Sequence, residues 1–142
     1  MPLPRAALYA LGEDLHVAVW PGSQRNTFDI TRFIAKEARS YVLSVSGLMR
    51  KSDFPAGTPH LDLILAGSSD WLANGGSCIA APGGEWVVEP VVEQEVLVVA
   101  CLDHGRVCEE RQNLDVAGHY SRPDVTQLTV NRVRQSTLKV IE

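Results

Sequence analysis

The residues with the most chemistry to offer in this 142-residue chain are three cysteines and four histidines. Cys101, His104 and Cys108 stand in a C-x2-H-x3-C spacing. Zinc takes four thiolate, imidazole or carboxylate ligands in a tetrahedron, so this triplet would need a fourth donor from His119, Cys78 or a carboxylate. Cys101 falls inside an apolar run and His104 in the first turn of the segment after it. Their side chains need not converge, so no metal is expected. Cys78 follows Gly76 and Ser77, which superficially suggests a nucleophile turn. The serine-hydrolase elbow, however, needs Gly where Ile79 stands. Cys101 reads as a buried thiol packed as a small apolar side chain. Cys108 precedes Glu109, and nearby negative charge raises a thiol pKa and weakens the nucleophile. Lys36, Lys51 and Lys139 all read as solvated surface, where lysine usually stays.

The stretch GHYSRPDV places His119, Tyr120, Arg122 and Asp124 close together. A His-Asp pair could move protons, but no nucleophile stands beside it. A structural role is the simpler reading. Arg122 and Asp124 can fix the chain by charge-assisted hydrogen bonds, and Pro123 stiffens the bend.

The elements that would position these groups follow from patterning. Arg5 to Leu11 reads as the end of a helix stopped by Gly12. Leu15 to Trp20 is a buried strand broken by Pro21-Gly22-Ser23. Thr27 or Asp29 caps a helix running to about Ser40, with Ile30, Phe33, Ile34 and Ala38 on its apolar face. Tyr41 to Ser46 is a second strand. Met49 to Pro59 and Gly67 to Gly76 read as loops around the apolar stretch His60 to Ala66. Ser77 to Ala81 and Glu85 to Glu89 flank Pro82-Gly83-Gly84 as a hairpin, ended by Pro90, which cannot donate to a ladder. Val96 to Leu102 is a β-branched strand, and Asp103 caps a helix carrying Val107. From about residue 119 the tail has no clear period. The order is α/β, built from strand-helix-strand units.

Bulk properties narrow the partners. The apolar fraction of 45% is that of a globular chain. A net charge of −4 with no basic run disfavours nucleic acid and acidic membrane surfaces. No apolar run approaches the roughly 18 residues of a membrane span. The N-terminus carries Arg5 without an apolar core or cleavage site, so no secretory signal is expected. A sparse, odd set of cysteines suggests reduced thiols in the cytoplasm.

Three stretches, in order, resemble one family. Met1 to Gly22, MPLPRAALYALGEDLHVAVWPG, resembles the segment that follows the nucleophilic cysteine of nitrilases. Gly75 to Gly84, GGSCIAAPGG, resembles that family's late hairpin. Asn113 to Val125, NLDVAGHYSRPDV, resembles its closing signature, with Leu114 and Val116 where Phe and Pro are expected. Nitrilases belong to the carbon–nitrogen hydrolases. The resemblance implies the C-terminal half of an αββα sandwich, a partial domain over residues 1–142. It implies a parent reaction from a small nitrile to a carboxylic acid and ammonia, with no cofactor. The family uses a Glu-Lys-Cys constellation: the thiolate attacks the nitrile carbon, the carboxylate moves protons and the ammonium stabilises developing charge. All three would precede Met1, so no catalytic residue is expected here and the chain alone is expected to be inactive, as a fragment of a longer enzyme. The strand end at Trp20 and Pro21 would border the substrate pocket, though Trp20 could equally fill a sheet end. The helix ending at Leu11 and the one ending near Ser40 would pack against their counterparts in a homo-oligomer or on a full-length nitrilase subunit.

Overall fold

The run LHVAVW and the run YVLSVS pair as parallel strands, β1 (Leu15–Trp20) and β2 (Tyr41–Ser46), in register from Leu15 opposite Tyr41 to Trp20 opposite Ser46. A computed structural model describes residues 1–134 and 136–138. Between the two strands runs α2 (Gln24–Ala38), a crossover helix of the kind that parallel strands require. Its buried residues Thr27, Thr31, Ile34, Ala35 and Ala38 recur at helical spacing and lie on one face of the sheet. There Ile34 and Ala35 pack with Val42 and Ala80, flanked by Ile30 and Trp86. Phe33, expected on this face, points out and is 54% exposed.

Three further strands complete a five-stranded sheet. β3 (Leu48–Arg50) and β5 (Trp86–Val92) both pair antiparallel with β4 (Trp71–Ala80), and β4 pairs antiparallel with β2. The helix α1 (Pro2–Ala10) lies beside α2 and is tied to it by Arg5, Tyr9 and Glu37. A single turn of 3-10 helix (Lys51–Asp53) and the short α3 (Leu61–Leu65) interrupt the link to β4. The last helix, α4 (His104–Asn113), starts at Asp103, whose carboxylate accepts from the Gly105 N–H at 2.9 Å. Val107 of α4 packs on Tyr41 and Ala81 with Leu102 beside them, a cluster separate from the α2 core. Val42 packs on α2, so alternation puts Tyr41 and α4 on the opposite face. The result is a mixed α/β fold that fits part of an α–β sandwich.

Several expectations need correction. α2 begins at Gln24, not at Thr27 or Asp29, because the Asn74 side chain accepts from the Gln24 N–H at 2.9 Å. β4 begins at Trp71, inside the stretch expected to be a loop. Its Gly75 and Gly76 have φ of +87° and +101°, and a Cβ on Gly76 would stand 2.5 Å from Gln24 Cα, so the glycines mark where the helix meets the strand. β3 forms where a loop was expected. β5 runs on through Pro90 to Val92. Val96 to Leu102 is extended but joins no ladder among the described residues. It crosses the sheet face opposite α2 as an unpaired strap.

Candidate functional site

The parallel strands β1 and β2 end together at Trp20 and Ser46, and ligands in α/β folds gather beyond such ends. A buried polar ladder holds this end in place. Thr27 donates its hydroxyl to Gly76 O at 2.9 Å, and Thr31 donates to Thr27 O at 2.5 Å. The Thr31 and Ser44 hydroxyls are 2.6 Å apart, and the Trp20 indole N–H donates to Ser44 at 3.2 Å. Cys78 completes the group, with its sulfur 3.6 Å from the Thr31 hydroxyl. Thr27, Thr31 and Ser44 are buried, so each hydroxyl needs its partner. Trp20 therefore points to the α2 face, its ring half-buried. Pro21 is exposed at the turn, where Gly22 (φ +145°) lets the backbone pass close to Ala73.

One step further along, Ser46 donates to Gly75 O at 2.6 Å, and the Ser46 N–H donates to the Ser77 hydroxyl at 3.0 Å. A cavity of about 160 Å³ lies here, lined by Ser46, Leu48, Gly75, Ser77, Val91 and the residues Gln94 to Val96 with Val98. Trp20 and Pro21 are not among its walls. The buried ladder is the part that patterning misses, although its signal is present: Ser44 and Ser46 share one strand face, and Thr27 and Thr31 sit one turn apart on α2.

The cysteines do not form a reactive constellation. Burial pushes the Cys78 thiol up from its ordinary value, and its hydrogen bonds lead to hydroxyls. Cys101, expected to be buried, is exposed, as is Cys108. Among the described residues no cluster of three His, Cys, Asp or Glu side chains could hold a metal ion. His104 turns instead to Asp14, Nε2 to Oδ2 at 2.8 Å. Arg111 donates to the other Asp14 oxygen at 2.7 Å, and the hydrogen bond with His104, helped by Arg111, holds that carboxyl below its ordinary value. Lys51 donates to the Leu65 and Gly67 carbonyls, which closes the loop between β3 and α3. Lys36 lies along Gly84. Lys139 lies outside the described residues.

In the tail, Arg122 clasps Asp124 through two hydrogen bonds, Nε to Oδ1 at 2.8 Å and Nη2 to Oδ2 at 2.6 Å. The His119 and Tyr120 rings lie 4.9 Å apart in a tilted contact. All four side chains are exposed and stand apart from the strand-end cavity. No helix among the described residues is long and apolar enough to cross a membrane.

No protein-family model matches the chain. Curated relatives do. Nitrilase 2 of Arabidopsis thaliana is 37% identical over 140 residues, which cover 92% of this chain and 40% of the relative. A bifunctional nitrilase/nitrile hydratase of Lupinus angustifolius is 35% identical over 136 residues, 92% of this chain and 38% of its own length. A protein named nitrilase 2 from an unknown prokaryotic organism is 38% identical over 133 residues, 93% of this chain and 40% of its own. The chain thus spans about two fifths of the length of the curated relatives it matches. Over nearly its whole length it is a nitrilase-family sequence, corresponding to that family's C-terminal half.

Proposed function

We propose that this chain supplies the C-terminal scaffold of a nitrile-hydrolysing enzyme, and that the thiol, ammonium and carboxylate of the reaction come from sequence outside these 142 residues. The observation that carries this reading is the alignment of 92% of the chain with proteins named nitrilases. The side-chain chemistry supports it. Cys78 is buried among hydroxyls with a raised pKa, and the hydrogen bonds of Lys51 go to backbone carbonyls. The parent reaction converts a small nitrile to a carboxylic acid and ammonia, with no cofactor. On this reading Trp20 and Pro21, at the end of β1, border the substrate pocket of the whole enzyme and not the strand-end cavity, whose walls lack them, and the Arg122–Asp124 clasp with His119 and Tyr120 fixes the tail. Three free cysteines suit a reducing compartment, the cytoplasm.

A second reading is a non-catalytic subunit that joins its own copies or a full-length nitrilase through α1 and α2. Leu3, Leu11 and Phe33 on or next to these helices, 68%, 72% and 54% exposed, favour it. Ammonia release from a panel of nitriles separates the two. The purified chain is expected to release none, alone or mixed with an intact nitrilase beyond that enzyme's own rate. Mixing with a polypeptide carrying the first three fifths of a related nitrilase is expected to restore turnover under the first reading and not under the second. Turnover by the chain alone would overturn both.

A further inference from the structure

The helix α1 stands almost outside the core. Neither apolar cluster contains any of its residues, and Tyr9 is its only buried one. Leu3 and Leu8 are exposed. Its place beside α2 is set instead by three polar side chains that meet at one carboxylate oxygen. Tyr9 donates its phenol hydroxyl to Glu37 Oε2 at 2.7 Å, and Arg5 donates from Nη2 to the same oxygen at 3.1 Å. Arg5 also donates from Nε to the Tyr9 oxygen at 3.0 Å, which closes the triangle. Hydrogen bonds to a charged group are roughly twice as strong as neutral ones. Arg5 and Glu37 are half-buried, which limits screening by water and salt. Burial, and then Glu37, push the Tyr9 phenol well above its ordinary value, so it stays a donor across the working range of pH. Glu37 is itself held in place, because α2 is anchored on the sheet by Ile34, Ala35 and Thr31.

The direction of α1 matters most at its far end. Pro2 and Pro4, each with a fixed φ, stiffen the first turn, so the helix moves as one piece. From Tyr9 back to Met1 the helix rises about 12 Å. Over that arm a tilt of about 5° displaces the Met1 end by about 1 Å. A misplacement of about 1 Å can cost about a hundredfold in rate. We infer that the Arg5–Tyr9–Glu37 clasp fixes the direction of α1 and, resting on the reading above, that it positions the nucleophile, whose chain enters this helix at Met1. The three residues act through the helix, so they are positioning residues and not catalytic ones. Their effect falls on kcat and not on substrate binding, because tilting α1 moves the thiol while the sheet keeps its place.

Hydrogen exchange read by mass spectrometry tests the clasp in the intact chain, and turnover with the complementing segment tests what the clasp positions. Tyr9→Phe removes only the hydroxyl, and Glu37→Gln keeps the shape and removes the charge. Both are expected to speed exchange across residues 3–11 by about tenfold or more. Exchange in β1, α2 and β2 should keep its wild-type rate, since no residue of α1 belongs to the core. Glu110→Gln weakens a comparable pair, Arg39 with Glu110 between α2 and α4, and should leave α1 unchanged. Mixed with the first three fifths of a related nitrilase, Tyr9→Phe and Glu37→Gln are expected to lower kcat by about tenfold or more and to leave KM within about twofold. Arg5→Lys, which keeps a cation, should lose less kcat than Arg5→Met, and Glu110→Gln should change neither constant. Wild-type exchange of α1 in both clasp variants would overturn the clasp. Unchanged kcat with a loosened α1 would overturn its positioning role. A complemented wild type that fails to turn over would sink the scaffold reading and leave the exchange rates to decide the clasp.

Discussion

The hydroxyls of Thr31 and Ser44 lie 2.6 Å apart in the core and join α2 to β2. The same pair reaches β1 through the Trp20 indole and β4 through Cys78. Four elements therefore meet at two side chains, both buried. A buried hydroxyl without a partner costs about 1–3 kcal/mol, whereas a satisfied one is near neutral. Thr31→Val keeps the shape and removes the hydroxyl, leaving Ser44 to find another donor or acceptor. We expect a loss of about 1–3 kcal/mol in urea unfolding for this variant. Thr31→Ser, which retains the oxygen, should lose less. Equal losses for Val and Ser would mean that the methyl group matters and the ladder does not.

Gly22 and Gly12 provide a matched pair for backbone strain. Both have positive φ, +145° and +79°. A Cβ on Gly12 would meet nothing within 4 Å, so Gly12→Ala is expected to cost only its conformational strain, about 1–2 kcal/mol. A Cβ on Gly22 would collide with the Ala73 side chain and stand 2.9 Å from Gly47 O. Gly22→Ala should therefore be clearly the worse of the two in thermal or urea melts. It should also displace the strand end at Trp20, visible as a change in tryptophan fluorescence. Comparable melts for the two variants would show that the turn relaxes freely.

What could be read in the sequence follows the range of the contacts that fix each element. β1, β2 and the core of α2 are legible as elements because their apolar patterns are local and strong, but β1, expected to be buried, is an edge strand with no buried residue. The start of α2 is not legible, since Asn74 caps it from fifty residues away. Gly75 and Gly76 read as a loop, yet they are glycines because α2 presses on the strand there. Val96 to Leu102 has the composition of a strand, but a ladder needs a second backbone, and none of the described residues supplies one. Cys101 was expected inside that strand and is exposed for the same reason. The candidate site shows the same division. The family was legible in three motifs, while the wall made by Ser46, Ser77 and the strap depends on pairings across the sheet.

The Asp14 carboxyl links β1 to α4, and its response to acid has a definite sign. Its folded-state pKa lies below the ordinary value of 3.8, because the hydrogen bond with His104, together with Arg111, outweighs the opposing effect of burial. A depressed carboxyl stabilises the fold above its unfolded pKa, and that contribution is lost as pH falls through the folded value. Asp14→Asn should therefore flatten the stability profile in the acid limb below about pH 4, measured by urea midpoints across pH. Because His104 is largely and Asp14 partly exposed, the effect is small and should shrink with added salt. A wild-type and variant profile that run parallel through this range would refute the linkage.

Thiol labelling separates the three cysteines. Cys78 is buried, with its pKa raised by burial, while Cys101 and Cys108 are exposed. The thiolate is the reactive form, so Cys78 is disadvantaged both by access and by ionisation. Under native conditions iodoacetamide should modify two thiols quickly, and the third only on unfolding. Peptide mapping that finds Cys78 labelled as fast as the others would mean that α2 leaves the sheet readily.

The sheet face opposite α2 is covered at one end by α4 and crossed by the strap, but β1 lies bare. Val17 and Val19 on that face are 58% and 79% exposed, Val45 beside them is 44% exposed, and β1 is an edge strand. Apolar faces next to unpaired strand edges drive association. The isolated chain is therefore expected to form oligomers whose size grows with concentration, seen by sedimentation velocity. Val19→Lys on this face should shift the distribution toward monomer while leaving far-UV circular dichroism unchanged, because the side chain already points to solvent. Leu11→Lys, just beyond α1, separates the two routes to association. If it breaks the oligomers and Val19→Lys does not, the contact runs through the helices and not through the bare sheet.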